Sequence, residues 1–216
     1  MLQIVPAILV GNITELKDQC EKVKRLDPSY IQLDVMDGIF VNNRSFTERV
    51  ELNELHLPFK LELHLMVSHP LQEIDSWKDV VGLKRIVFHA ESKDNLKKVI
   101  EKIKSSGLEA GMAINPETDL SEIVDFCDII DLVLFMTVHP GQQGQQFIQK
   151  VGERIQSFKT LIENRGKITP QLAVDGGIKP ENVSIVKSWG IDIAYVGSAL
   201  VGATDIQEAY TNLTRN

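Results

Sequence analysis

The chain has 216 residues, 43% of them hydrophobic and 25% charged, with a formal net charge of −7. That length and mix suit an ordinary globular chain, read as a single domain over 1–216. The acidic balance argues against a nucleic-acid partner while leaving room for a local phosphate site, and no apolar run nears the roughly 20 residues that span a bilayer.

The opening Met1-Leu2-Gln3-Ile4-Val5-Pro6 has no basic stretch followed by an apolar one. It reads as the first strand, over 3–9, and not as a signal peptide. Leu16, Cys20, Val23 and Leu26 then recur at helical spacing. A second strand is predicted over 30–34, followed by a polar stretch over 40–47, and a third over 60–66. The fourth, over 85–89, precedes a helix on Leu96, Val99, Ile100 and Ile103, with Ser92 or Asp94 as its cap. A fifth strand over 109–114 leads to a helix capped by Asp119 or Ser121. The sixth strand, over 132–137, runs into a Gly/Gln-rich segment over 140–146. Val151, Ile155, Phe158 and Leu161 mark another helix, and strands over 171–174 and 193–196 complete the series. Cys20 and Cys127 fit no metal or redox spacing, so they read as free thiols in a reducing cytosol.

Strands that are apolar throughout suit a parallel sheet buried on both faces. Strict alternation with helices requires right-handed βαβ crossovers. Eight such units in this length predict an α/β fold, a (β/α)8 TIM barrel, with an open doubly wound sheet as the alternative. In a barrel, the side chains and loops at the carboxyl ends of the strands form the functional mouth.

Asp34 and Asp175 fall at two such ends, in Leu33-Asp34-Val35-Met36-Asp37-Gly38 and Val174-Asp175-Gly176-Gly177. Asp is also a common helix cap after a strand. Two carboxylates facing one mouth, however, suit chemistry that removes a proton from one side of a carbon and returns it on the other. His64 lies toward the carboxyl end of the third strand, with Asp34 as its predicted neighbour across the strand gap, while His89 ends the fourth and could face the same mouth. His139 lies beside the Gln-rich segment, and His56 and His69 read as surface loop residues. Gly141 and Gly144, Gly176 and Gly177, and Gly197 with Ser198 follow the last three strands. Glycine lets backbone amides approach an anion closely, so together they predict a phosphate site. Met36, Met66 and Met136 lie near strand ends, where core filling is the first reading and a polarizable floor under an enediolate the sharper one.

On these residues the whole chain resembles the ribulose-phosphate 3-epimerase family. The resemblance rests on Pro6-Ala7-Ile8-Leu9, Asp34-Val35-Met36-Asp37-Gly38 with Phe40, Val41 and Asn43, and His64-Leu65-Met66-Val67. It continues through Met136-Thr137-Val138, Pro140-Gly141, Gly144-Gln145, Val174-Asp175-Gly176-Gly177-Ile178 and Gly197-Ser198-Ala199. The resemblance implies a cytoplasmic sugar-phosphate enzyme, an isomerase and commonly a homo-oligomer. In such an enzyme Asp34 and Asp175 exchange protons with C3 of a phosphorylated ketose, most directly D-ribulose 5-phosphate going to D-xylulose 5-phosphate. It also implies a divalent metal on Asp34, His64 and Asp175. Departures from the family pattern are Gln32 where a metal-binding histidine is expected, Ala7 where a substrate-contacting serine is expected, Val10-Gly11-Asn12, and Gln142-Gln143. A glutamine amide is a weaker donor than imidazole; it tilts the preference from zinc or iron toward manganese or magnesium, or leaves the centre without a metal. Two other readings stay open: an isomerase or lyase of a related phosphosugar, and a non-catalytic phosphosugar-binding relative.

Overall fold

The computed structural model describes residues 2–45, 49–141 and 145–215. Eight parallel strands close into a barrel in chain order: β1 (Gln3–Ile8), β2 (Tyr30–Met36), β3 (Lys60–Met66), β4 (Leu83–His89), β5 (Glu109–Ile114), β6 (Leu132–Met136), β7 (Gln171–Asp175) and β8 (Ile193–Val196). Closure is made by β8 on β1, with Val5 opposite Tyr195. The helices around it are α1 (Ile13–Lys24), α2 (Arg49–Glu54), α3 (Pro70–Trp77), α4 (Leu96–Ser105), α5 (Ser121–Val124), α6 (Val151–Asn164), α7 (Val183–Ser188), α8 (Ser198–Val201) and α9 (Ile206–Arg215). This is the (β/α)8 barrel expected from the alternation of strands and helices, and the open sheet is excluded.

Strand alternation sorts each strand's side chains into two packed layers. Ile31, Leu33 and Val35 of β2, Leu61, Leu63 and Leu65 of β3, and Ile86 and Phe88 of β4 belong to the main cluster, with Leu16, Cys20 and Val23 of α1 and Val99, Ile100 and Ile103 of α4. Fully burying each such side chain contributes about 1.5–3 kcal/mol. A second, smaller cluster fills the barrel: Val5, Ala7, Val87, Ala113, Leu132, Leu134, Met136, Val138, Ala173, Ile193 and Tyr195. Space there is limiting. A Cβ on Gly111 would lie 2.8 Å from Val87 Cγ2, so glycine is needed at that level of β5.

Several local expectations are corrected. β2 runs two residues past Asp34, to Met36, because Asp34 and Met36 continue the ladder with His64 and Met66 of β3. Neither Ser92 nor Asp94 caps α4. Asn95 does, its side chain accepting from the Lys98 amide at 3.1 Å, while Asp94 accepts from the Leu71 amide at 2.9 Å and pairs with His69. Asp119 accepts from the Ser121 amide at 2.9 Å just before α5. Both cysteines are free and buried, and burial pushes their thiols up to about 12 for Cys20 and about 11 for Cys127. Among the described residues no helix is long and apolar enough to cross a membrane.

Candidate active site

On β2, Gln32, Asp34 and Met36 share one parity and stand opposite Glu62, His64 and Met66 of β3. Asp175 closes β7 on the far side of β1 and β8. An eight-stranded barrel is narrow enough for these side chains to meet at its axis. Gln32 Nε2 donates to Asp175 Oδ2 at 2.8 Å and to Asp34 Oδ1 at 3.3 Å. His64 Nδ1 lies 3.0 Å from Asp34 Oδ1 and 3.5 Å from Asp175 Oδ2. The expected strand-gap pair of His64 and Asp34 is therefore present.

Burial and neighbouring charges set the proton affinities here. Asp175 is pushed well above the ordinary carboxylate value by burial and then by the charge of Asp34, against the opposing pull of His64 and Gln32. Burial alone would lower His64, but its hydrogen bond to Asp34 and the charges of Asp34, Asp175 and Glu62 hold it above its usual value. His89 is expected at the same mouth; the structure places it fully buried beside His64, its Nε2 2.9 Å from His64 Nε2, and not among the residues that line the cavity. Burial pushes His89 down to about 4, so the ring is neutral at neutral pH. Its Nδ1 is 3.1 Å from Glu91 Oε2.

The cavity at this mouth is lined by Asp34, His64, Asp175 and the three methionines, Met36, Met66 and Met136. The methionines are buried, so core filling and lining of the cavity are both true of them. Gly141, Gly176, Gly177, Gly197 and Ser198 line the same cavity, which brings together the turns after β6, β7 and β8. Gly144, with Gln142 and Gln143, lies outside the described residues. Gly176 has φ +115°, and a Cβ there would stand 2.3 Å from Val138 Cγ2, so only glycine permits this turn. The segment after β2 leans over the mouth. Asp37 accepts from the amides of Ile39, Phe40 and Ser68, each at 2.7 Å, and Asn43 donates to the Gly141 carbonyl at 2.6 Å.

The donor set fits a divalent cation. Asp34, His64 and Asp175 each offer a ligand atom, all within 4.8 Å of one another. Gln32 Oε1 is buried with no hydrogen-bond partner, an unused donor oxygen on an amide already fixed against both carboxylates. Hard oxygen donors with one imidazole suit magnesium or manganese as well as zinc.

Missing from the sequence reading is a buried polar layer beneath this site. Arg85 donates to Glu62 Oε2 at 3.0 Å, to Glu109 Oε2 at 2.8 Å and to Gln171 at 2.8 Å. Burial raises Glu62 despite the Arg85 charge. The available signal was parity: Glu62 precedes His64 by two residues and Gln32 precedes Asp34 by two, so both must share the inner face. His139 and His56 are exposed and His69 sits at the start of α3, so none joins the site.

The model of the family described as the ribulose-phosphate 3 epimerase family matches residues 3–201. The chain is 33% identical over 214 residues to the ribulose-phosphate 3-epimerase of Bacillus subtilis (strain 168), covering 99% of this chain and 98% of that protein. It is 34% identical over 210 residues to the chloroplastic ribulose-5-phosphate-3-epimerase of Arabidopsis thaliana, covering 95% and 74%. Among solved structures, the tryptophan synthase A-subunit of Pyrococcus furiosus superposes with a TM-score of 0.72 at 15% identity, covering 98% of this chain and 97% of that one, a likeness of fold alone.

Proposed function

This chain belongs to the ribulose-phosphate 3 epimerase family, and we infer from that premise that it inverts C3 of a phosphorylated ketose, D-ribulose 5-phosphate to D-xylulose 5-phosphate. The observation that carries the reading is the pairing of Asp34 with Asp175 across one cavity, bridged by Gln32 and faced by His64. One carboxylate takes the proton from C3, and the electron pair moves into the C2 carbonyl to give an enediolate. The other carboxyl returns a proton to C3 from the opposite face. Burial raises the proton affinity of Asp175, which suits it to giving and taking a proton near neutral pH, and the two roles exchange in the reverse reaction. Met36, Met66 and Met136 give the reacting carbons an apolar surround, and the glycine wall with Ser198 receives the phosphate.

A divalent cation held by Asp34, His64 and Asp175 would supply positive charge for the oxygens that become negative as C3 loses its proton. Manganese or magnesium is the reading for this chain, because Gln32 offers an amide where imidazole would select zinc. Gln32→His should therefore raise zinc affinity by about tenfold or more, roughly 1.4 kcal/mol. Competition with a chromophoric chelator measures this; an unchanged affinity would show that the other three donors do not converge on an ion. A cytoplasmic location and assembly with further copies of the chain belong to the same reading.

Exchange of the C3 hydrogen of ketose phosphates in heavy water tests the function, because it registers enolisation even when net turnover is slow. Exchange at C3 of ribulose 5-phosphate is the expected result. Binding without exchange would replace the epimerase with a phosphosugar-binding protein, and exchange only with another ketose phosphate would change the substrate.

A further inference from the structure

We propose that Glu91 is a positioning residue: through His89 it determines which nitrogen of His64 carries a proton, and so presents Nδ1 to the two carboxylates. The inference rests on the reading of Asp34, His64 and Asp175 as the reacting centre. Glu91 follows β4 and is itself anchored from one side. Its Oε1 accepts from the Asn115 amide at 2.8 Å and from the Thr118 hydroxyl. Its other oxygen, Oε2, faces His89 Nδ1 at 3.1 Å.

An ionised carboxylate can only accept, so the proton between these two groups belongs to His89 Nδ1. Glu91 is held ionised: its own burial opposes this, but the bonds from His89, Asn115 and Thr118 favour the carboxylate. A neutral imidazole has one N–H, so His89 Nε2 is left with a bare lone pair. That lone pair faces His64 Nε2 at 2.9 Å, and both rings are fully buried. The contact is a hydrogen bond only if His64 Nε2 carries the proton and donates it. The chain of bonds thus has one direction, from His64 Nε2–H to His89 Nε2 and from His89 Nδ1–H to Glu91. His64 Nδ1 is the nitrogen turned toward Asp34 and Asp175, at 3.0 and 3.5 Å. The direction is the same whether Nδ1 takes a second proton or offers its lone pair to a cation, because only Nε2 is committed. Phe40 packs on His89 with ring centroids 4.8 Å apart and holds that ring in place.

Glu91→Gln should reverse the chain with almost no change of shape. The Asn115 amide and the Thr118 hydroxyl are both donors, so they hold the new amide oxygen on their side. The amide nitrogen then turns to His89 Nδ1, which must give up its proton. His89 carries it on Nε2 instead and donates to His64 Nε2, and the proton of a neutral His64 moves to Nδ1, facing the carboxylates.

The test is long-range 1H–15N correlation of the histidine rings in 15N-labelled protein at neutral pH, with His89 assigned from a His89→Gln sample. In wild type, His89 is expected to be protonated on Nδ1 alone, and in Glu91→Gln on Nε2 alone. Manganese affinity should fall about 10- to 100-fold in Glu91→Gln, the usual consequence of disturbing a ligand's hydrogen-bonded support. A wild-type His89 protonated on Nε2 overturns the proposal without any variant. So does Glu91→Gln with an unmoved proton or with unaltered manganese affinity. The proton position is read without turnover, so failure of the epimerase reading and failure of this inference are separate results.

Discussion

Asp34→Asn and Asp175→Asn are each expected to slow exchange of the C3 hydrogen by about three orders of magnitude while leaving the barrel folded. An amide is nearly isosteric with a carboxyl group but neither takes nor gives the proton. Neither aspartate supports the core: the apolar layer between strands and helices is built from the opposite parity of the same strands. Stability should also depend on pH through Asp175. Asp175 binds its proton more tightly folded than unfolded, so the contribution of that proton is fully present below the ordinary carboxylate range. It is lost as pH rises through the raised folded value. Asp175→Asn cannot ionise and should escape that loss, so its melting temperature should fall less than that of wild type on going from mildly acidic to alkaline pH. Deuterium incorporation followed by NMR, with thermal melts at two pH values, checks both points. Near-wild-type exchange in either variant would remove that aspartate from the mechanism.

Ketose phosphates should bind at least about 100-fold more tightly than the free sugars, about 3 kcal/mol, which is what one or two hydrogen bonds to a charged group contribute. The physical basis is the wall of Gly141, Gly176, Gly177, Gly197 and Ser198 at the ends of β6, β7 and β8, where bare backbone reaches the cavity surface. Gly197→Val is the sharpest probe of that wall. A Cβ there meets nothing closer than the Ala7 carbonyl at 3.5 Å, an ordinary contact, so the first added carbon finds room. The added methyl groups take space at the cavity wall and should abolish most of the preference for the phosphorylated sugar. Gly176 is a poor probe, since its Cβ would clash with Val138 and disturb the turn itself. Calorimetric titration with ribulose 5-phosphate and ribulose, on wild type and Gly197→Val, decides the matter. Equal affinity for the two sugars in wild type would mean that the glycine wall is no phosphate site.

Much of this protein is determined by its sequence without reference to long-range geometry. Eight alternations of apolar runs with 3.6-periodic stretches specify parallel strands joined by helices, because each pattern has only one way to bury its apolar face. The positions of Asp34, His64 and Asp175 within two residues of strand ends follow from local pattern, as do the glycine turns that follow β6, β7 and β8. What a strand ladder cannot show is the barrel interior. Parity places Gln32, Glu62, Arg85 and His89 on the inner face, but their partners come from other strands and from the loops above them. Closure of β8 on β1 brings Asp175 within reach of Gln32 across 143 residues of chain. The same closure turns a glutamine in a metal-ligand position into a donor bridging two carboxylates. Register and curvature, not composition, put His89 between His64 and Glu91. Hydrogen-bond direction in a buried chain depends on which acceptor stands at its end, and only the tertiary structure decides that.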